Sequence, residues 1–267
     1  MRTPLIALLT DFGERDFFVP SLKAVIASIN PEVRIVDITH DVPSFEIKAA
    51  SFILYSCYAF FPEGTVFLAV VDPGVASGRQ ILLAETKRFL FIAPDNGLLT
   101  LPLKNEEMIS LHAVCESRFW LTAETSMFEA RDRMAPVAAW LTLGVPLSEL
   151  GPEISTYERL KIPEPRRSRH EIIGTILYQD KFGNLMTDIS ATMFQSLEQS
   201  KTRPRIILYL RKAKIDRFAT SYAEATDDRP FFLINSQGLV EIAVREKSAA
   251  AVLGAKPGDA VKIRLEP

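Results

Sequence analysis

The sequence predicts an α/β protein: a mostly parallel sheet covered by helices, followed by a small β-rich domain that reads as a barrel. Three observations predict it. Through about residue 150, short apolar runs alternate with segments whose apolar residues fall at helical spacing. Several of those runs are apolar on both faces, as strands buried on both sides are. Beyond a polar, proline-bearing stretch, only strand-like runs separated by turn residues remain.

In order, "PLIALL" (4–9), "VRIVDI" (33–38), "TVFLAVV" (65–71), "QILLAE" (80–85) and "RFLFIA" (88–93) read as strands. "VPSLKAVIASIN" (19–30), "EIKAASFILYSCYAFF" (46–61) and residues 134–143 read as helices. Alternation of this kind argues for parallel strands joined by helices. "STYERLKIPEPRRSRHE" (155–171) breaks the rhythm, so the domains are expected at 1–155 and 171–267, with a linker over 156–170. In the second domain, residues 172–179, 205–210, 230–235, 239–244 and 259–265 read as strands. There is no internal repeat and no low-complexity segment.

Composition narrows the function class. The chain has 267 residues, 48% hydrophobic and 24% charged, enough to bury a sizeable core. Its 31 basic and 33 acidic residues give a net charge of −2, and the short basic cluster "PRRSRH" falls in the linker, so nucleic-acid binding is not expected. The N-terminus lacks a signal-peptide pattern, and no window reaches the roughly 18 apolar residues of a membrane span. Cys57 and Cys115 are isolated, with no histidine at ligand spacing. Neither a disulfide scaffold nor a metal site is indicated, and the chain reads as cytoplasmic with reduced thiols.

Ligands of such sheets collect beyond the carboxyl ends of the strands, which singles out "TDFGERD" (10–16), "THDVPSFE" (39–46), "DPGVASGR" (72–79) and "PDNG" (94–97). No phosphate-cradling glycine motif is present, which argues against a nucleoside triphosphate. Asp11 and Asp16 bracket Gly13, a spacing that lets two carboxylates face a sugar diol, although Asp11 equally suits an Asx turn. Asp72 and Arg79 suit either the holding of a water or a structural ion pair. Phe45 either walls a pocket or packs. His40 and His112 read as structural histidines, and His170 as exposed. In "SMFEARDRMAP" (126–136), the plainest reading makes Asp132 a helix cap, puts Pro136 in the first turn, and leaves Glu129 and Arg131 as solvated flanking charges.

Seven motifs in order, "TDFGERD", "DITHDVPSFEIKAA", "VDPGVASGR", "APDNGLLT", "RDRMAPVAA", "DKFGNLMTDI" and "NSQGLVEIAV", cover nearly the whole chain. Together they resemble the S-adenosyl-L-methionine hydroxide adenosyltransferase family, relatives of the fluorinating and chlorinating enzymes. The resemblance implies a Rossmann-like N-terminal domain, a C-terminal β-barrel, and a homotrimer with sites between the N domain of one subunit and the C domain of the next. It implies that Asp11 and Asp16 serve the ribose and methionine ends of an adenosyl ligand, with Phe45 roofing the pocket. Asp95, Asn96 and Phe128 count among the ligand-side residues. Asp180, Asn184 and Ser236 would share the methionine amino group, the adenine edge and the methionine carboxylate, in an order left open. Tyr222 would stack on adenine.

The chemistry implied is attack of water or hydroxide at C5′ of the sulfonium, with methionine leaving as a neutral thioether, so S-adenosyl-L-methionine is a substrate and no cofactor or metal is called for. Orienting and desolvating the nucleophile is then the main task. The family pattern uses an Asp, an Arg and a His around one water; Asp72 and Arg79 match the first two. At the third, the family's Phe-His-Gly-Arg-Asp is here Phe128-Glu129-Ala130-Arg131-Asp132, so Glu129 stands as a substitute base or as the mark of lost activity. Two carboxylates beside one water repel each other unless Arg79 lies between them. Hydrolysis with Asp72, Arg79 and Glu129 around the water is the first reading, and a catalytically silent adenosyl-binding protein is the alternative. Halogenation is disfavoured, because the halogenating relatives lack the Asp present here as Asp72 and a carboxylate at Glu129 would repel halide. Two further departures are Pro20, which stands where the family usually has Gly and is expected to touch a ligand-side loop, and Gln237, after Ser236, in the loop that the resemblance implies would bind the carboxylate.

Overall fold

A computed structural model describes residues 4–124, 126–198 and 205–266. The chain divides into two compact units, Met1–Leu160 and Lys161–Pro267. The stretch that reads as a linker is split between them: Glu158 and Leu160 hydrogen-bond through their backbone N–H to Asp95 and Thr100 of the first unit, at 2.7 and 2.8 Å.

In the first unit, β1 (Leu5–Thr10), β2 (Arg34–Thr39), β3 (Val66–Val70), β4 (Ile81–Thr86), β5 (Leu90–Pro94) and β6 (Met108–Ala113) form one sheet in the order β2-β1-β3-β5-β4-β6. The first four strands of that order run parallel, while β4 is antiparallel to both β5 and β6. The predicted α/β class and mostly parallel sheet are therefore observed. Alternate strand residues face opposite cores. Ile6, Leu8, Leu68 and Ile92 pack with Leu22 and Ile26 of α1 (Phe18–Ile29) and with Val137 and Ala138 of α3 (Ala135–Thr142). Ala7, Leu9, Phe67 and Phe91 pack with Ala50 and Leu54 of α2 (Ile47–Cys57). A period of two on a sheet covered on both sides leaves no polar position free, which is why the strands read as continuous apolar runs.

Three details differ from the sequence expectation. The edge strand β6 was not anticipated, because Met108 and Ile109 are exposed and its first half lacks a buried face. The second helix stops at Cys57, followed by a short 3₁₀ turn over Tyr58–Phe60 ahead of Pro62. Pro20 falls in the first turn of α1, where a missing N–H costs nothing.

The second unit is an antiparallel, nearly closed sheet. It contains β7 (Arg166–Arg167), β8 (Glu171–Gln179), β9 (Leu185–Ser190), β10 (Arg205–Leu210), β11 (Ala213–Ile215), β12 (Phe231–Ile234), β13 (Leu239–Ala243) and β14 (Ala260–Glu266), in the order β11-β10-β14-β8-β9-β13-β12, with β7 on β8. The long strand β8 pairs with β14 on one side and β9 on the other, curling the sheet around a core of Ile172, Leu185, Leu208, Phe232, Ile242 and Val261. Two short helices, α4 (Ala191–Glu198) and α5 (Ala249–Leu253), complete it. This matches the barrel expectation; β7, β9, β11 and both helices were not anticipated.

Candidate active site

Parallel β1, β2, β3 and β5 all end on one edge of the first sheet, and the loops at 11–17, 40–46, 71–80 and 95–97 leave from there. Because β4 runs the other way, with Ile81 opposite Pro94, its start lies on that same edge. Arg79, just ahead of β4, is thereby delivered to Asp72, just after β3. Arg79 donates through Nε to Asp72 Oδ2 at 2.9 Å and through Nη2 to the same oxygen. The intervening turn places Ala76 and Gly78 at positive φ, and Gly74 N–H donates to Asp72 Oδ1 at 3.2 Å.

The same Nη2 of Arg79 donates to Glu129 Oε2 at 2.7 Å, so the guanidinium lies between the two carboxylates. Glu129 is 6% exposed, which overturns its reading as a solvated flanking charge. It opens a π-helical turn over Ala130–Met134 that runs directly into α3. Within that turn Asp132 is buried and accepts from Ser126 Oγ at 2.6 Å and from Arg131 Nε at 2.6 Å. It is therefore not a helix cap. Burial pushes its carboxyl up, but the Arg131 and Ser126 hydrogen bonds outweigh this and hold it below the usual aspartate range. Pro136 is in the first turn of α3, as expected.

A residue that the sequence reading passed over completes this cluster. Arg133, one helical turn beyond Glu129, donates through Nη1 to Glu129 Oε1 at 2.6 Å and lies over the Trp120 ring at 4.4 Å. Its signal was the i, i+4 Glu-Arg spacing in "EARDR", which sequence alone does not distinguish from an exposed helix pair.

Around this cluster, Asp11 Oδ2 accepts from Phe45 N–H at 2.9 Å, joining two of the predicted ligand loops. Phe45 has φ +68° and is 68% exposed, an uncommon backbone for a non-glycine residue and one enriched at ligand clamps. His40 braces the base of the same loops, as a structural histidine should. Its Nε2 is 3.1 Å from Asp37 Oδ1, its Nδ1 2.8 Å from Thr10 Oγ1, and its carbonyl accepts from Gly13 N–H at 2.8 Å. Asp16 is exposed just ahead of α1. Phe128 meets Phe12 and Phe18 edge-on at 5.6 and 5.2 Å. Asn96 Nδ2 donates to Val71 O at 2.8 Å, fixing the residue before Asp72, and Asp95 is spent on Glu158 N–H. His112 Nδ1 donates to Gly151 O at 3.0 Å, and His170 is exposed.

In the second unit, Asp180 organises its own turn: Oδ1 accepts from Phe182 N–H and Asn184 N–H at 3.0 and 2.8 Å, and Oδ2 from Asn184 Nδ2 at 3.0 Å. Gly183 has φ +86°, and a Cβ there would lie 2.1 Å from Ser248 Oγ. Ser236 is exposed at the tip of the β12-β13 hairpin, beside Gln237, whose N–H donates to Asn235 Oδ1 at 3.0 Å. Tyr222 leaves its ring half exposed and donates its hydroxyl to Glu241. Glu241, also missed, is 1% exposed in β13 and accepts from Asn235 Nδ2 at 3.1 Å. Burial pushes its carboxyl up, against the lowering effect of Tyr222 and Asn235, and burial likewise raises the Tyr222 hydroxyl. The available signal was a single charge inside the apolar run "LVEIAV".

Residues 6–151 match the SAM hydroxide adenosyltransferase N-terminal domain, and residues 174–262 match the C-terminal domain of the same family. The chain belongs to the SAM hydroxide adenosyltransferase family. Among members of that family and their relatives, it is 33% identical to an (R)-S-adenosyl-L-methionine hydrolase of Salinispora tropica, over 98% of each chain. It is 26% identical to a fluorinase of Actinoplanes sp., over 97% of each. A crystal structure of an uncharacterized conserved protein from Thermotoga maritima superposes with a TM-score of 0.90 at 34% identity, covering 97% of this chain and 99% of that one. The two SAM hydroxide adenosyltransferase segments coincide with the α/β sheet and the barrel-like sheet described above. Among the described residues no helix is long and apolar enough to cross a membrane.

Proposed function

We propose that this chain hydrolyses S-adenosyl-L-methionine to adenosine and L-methionine. A water oxygen forms a bond to C5′ while the C5′–S bond breaks. The bonding pair goes to sulfur, methionine departs as a neutral thioether, and the water gives up one proton. A leaving group that departs neutral needs neither a general acid nor a metal, so the protein's work is to hold and desolvate the water. The observation that carries the reading is Arg79 lying between the Asp72 and Glu129 carboxylates on the ligand-side edge of the sheet. There the guanidinium donates to both carboxylates and fixes Asp72, whose Oδ1, meeting only the Gly74 amide, is the oxygen available to orient one water. The hydrolase name carried by the Salinispora relative supports the same reaction, with the (R) sulfonium as the epimer used. The resemblance supports a trimer in which Asp180, Asn184, Tyr222 and Ser236 of one copy complete the site of another.

Chromatography of S-adenosyl-L-methionine incubated with the purified chain tests the reaction. Adenosine and methionine are expected in equal amounts from the native chain and at background from Asp72→Ala. No adenosine above the Asp72→Ala control overturns the hydrolase reading in favour of a protein that only binds an adenosyl ligand.

A further inference from the structure

Glu129 and Arg133 are fixed as a pair. Each oxygen of Glu129 receives a charge-assisted hydrogen bond from a different guanidinium, Oε2 from Arg79 at 2.7 Å and Oε1 from Arg133 at 2.6 Å. Side-chain exposures are 8% for Glu129 and 19% for Arg133, so this is a largely desolvated contact rather than a solvated helix pair. Arg133 is also immobilised. It is stacked on Trp120, its Nη2 donates to Glu124 O at 3.3 Å, and its Nε is buried with no acceptor among the described residues. Leaving a guanidinium nitrogen unpaired is costly, and the arrangement persists because the rest of the group is held against Glu129.

The π-helical turn contributes to the fixing. Its bulge turns the Asp132 carbonyl to accept from Leu121 N–H at 2.8 Å, which ties the Trp120 segment to the turn that carries both Glu129 and Arg133. The result is an alternating chain, Asp72, Arg79, Glu129, Arg133, in which two negative and two positive charges balance. Its carboxylate oxygens are unequally engaged. Both Glu129 oxygens and Asp72 Oδ2 are bound to guanidinium groups, whereas Asp72 Oδ1 receives only the 3.2 Å bond from the neutral Gly74 amide.

We propose that Arg133 is a positioning residue for the hydrolysis: it holds Glu129 as an anionic anchor for Arg79, and so leaves Asp72, not Glu129, to take the proton of the attacking water. This rests on the hydrolase reading. Glu129 is then no defective base. Glu129 and Arg133 cancel each other's charge, and Arg79 is held from both sides in the orientation that faces Asp72.

The test measures kcat and KM for S-adenosyl-L-methionine, with thermal unfolding alongside, in Arg133→Leu, Arg133→Lys, Arg133→Gln, Glu129→His and Glu129→His/Arg133→Leu. Arg133→Leu is expected to lower kcat about tenfold or more with KM changed less than about threefold, since general-base placement contributes roughly 10²–10⁴-fold. Arg133→Lys should recover most of that loss. In the Glu129→His background there is no anion to hold, so Arg133→Leu should leave cleavage unchanged or raise it. An equal loss from Arg133→Leu in both backgrounds, a loss confined to KM, or no loss at all overturns the proposal. Arg133→Gln gives the same comparison if the leucine variant does not fold. A native chain that binds S-adenosyl-L-methionine by calorimetry but releases no adenosine overturns the hydrolase reading, and this proposal with it. A native chain that cleaves while ignoring position 133 overturns this proposal alone.

Discussion

Two buried carboxylates, Asp132 and Glu241, show how far the surroundings of one residue set its behaviour. Asp132 is held below the ordinary aspartate range because, although burial raises it, Arg131 and Ser126 donate to it. Its contribution to stability is therefore present above the unfolded value of about 3.9 and is lost as pH falls through the lowered folded value. Asp132→Asn should cost stability at neutral pH, roughly 1–3 kcal/mol, and the cost should shrink on acidification. Glu241 has the opposite sign. Burial raises it, so its favourable contribution is full below the unfolded value and is lost as pH rises through the raised folded value. Glu241→Gln should therefore gain stability relative to the native chain as pH rises toward neutral. Thermal unfolding across that range checks both, and parallel pH curves for native and variant chains would contradict the assignments. Because Glu241 also receives the Tyr222 hydroxyl and the Asn235 amide, Glu241→Ala should in addition weaken binding of the adenosyl ligand, measured by calorimetry.

At the scale of elements, the π-helical turn ahead of α3 decides where Glu129 lies. One residue in a helix is worth about 100° of rotation and 1.5 Å of rise. Deleting Ala130 should convert the turn to α geometry and swing Glu129 away from Arg79. Cleavage should fall at least about 10²-fold while far-UV circular dichroism is unchanged, because a misplacement of about 1 Å at a reacting site already costs that much. Unimpaired cleavage would show that the turn does not aim Glu129. The Asp180–Asn184 turn makes a parallel case in the second unit. Gly183→Ala forces a side chain into the left-handed region against Ser248, and should cost roughly 1–3 kcal/mol of stability. Strands β1 to β5 were legible because a sheet covered on both faces demands long apolar runs. The edge strand β6 and the short helices α4 and α5 were not, since too few of their positions are buried to impose a period.

For the whole molecule, two compact units carry the candidate ligand groups, Asp11, Phe45, Asp72, Arg79 and Glu129 in the first and Asp180, Asn184, Tyr222 and Ser236 in the second. If copies complete one another's sites, light scattering should give a trimer, and adenosine binding should weaken as dilution dissociates it. A monomer that binds adenosine tightly would contradict that arrangement. The sequence by itself determined the α/β class, the barrel-like second unit, the family and the loops that carry the candidate site. These follow from local periodicity, from chain order and from strand ends, all of which are properties of neighbouring residues. Only the tertiary structure decided what Glu129 touches. Arg79 lies fifty residues away and comes to it because β4 runs antiparallel, so that both ends meet on the ligand edge. Arg133 becomes its partner because Trp120 and the π-helical turn keep water from both. Sequence spacing gives the same Glu-Arg pair on a solvated helix face, where such a pair contributes little. Burial, which depends on every packed element around it, turns the pair into part of the candidate site.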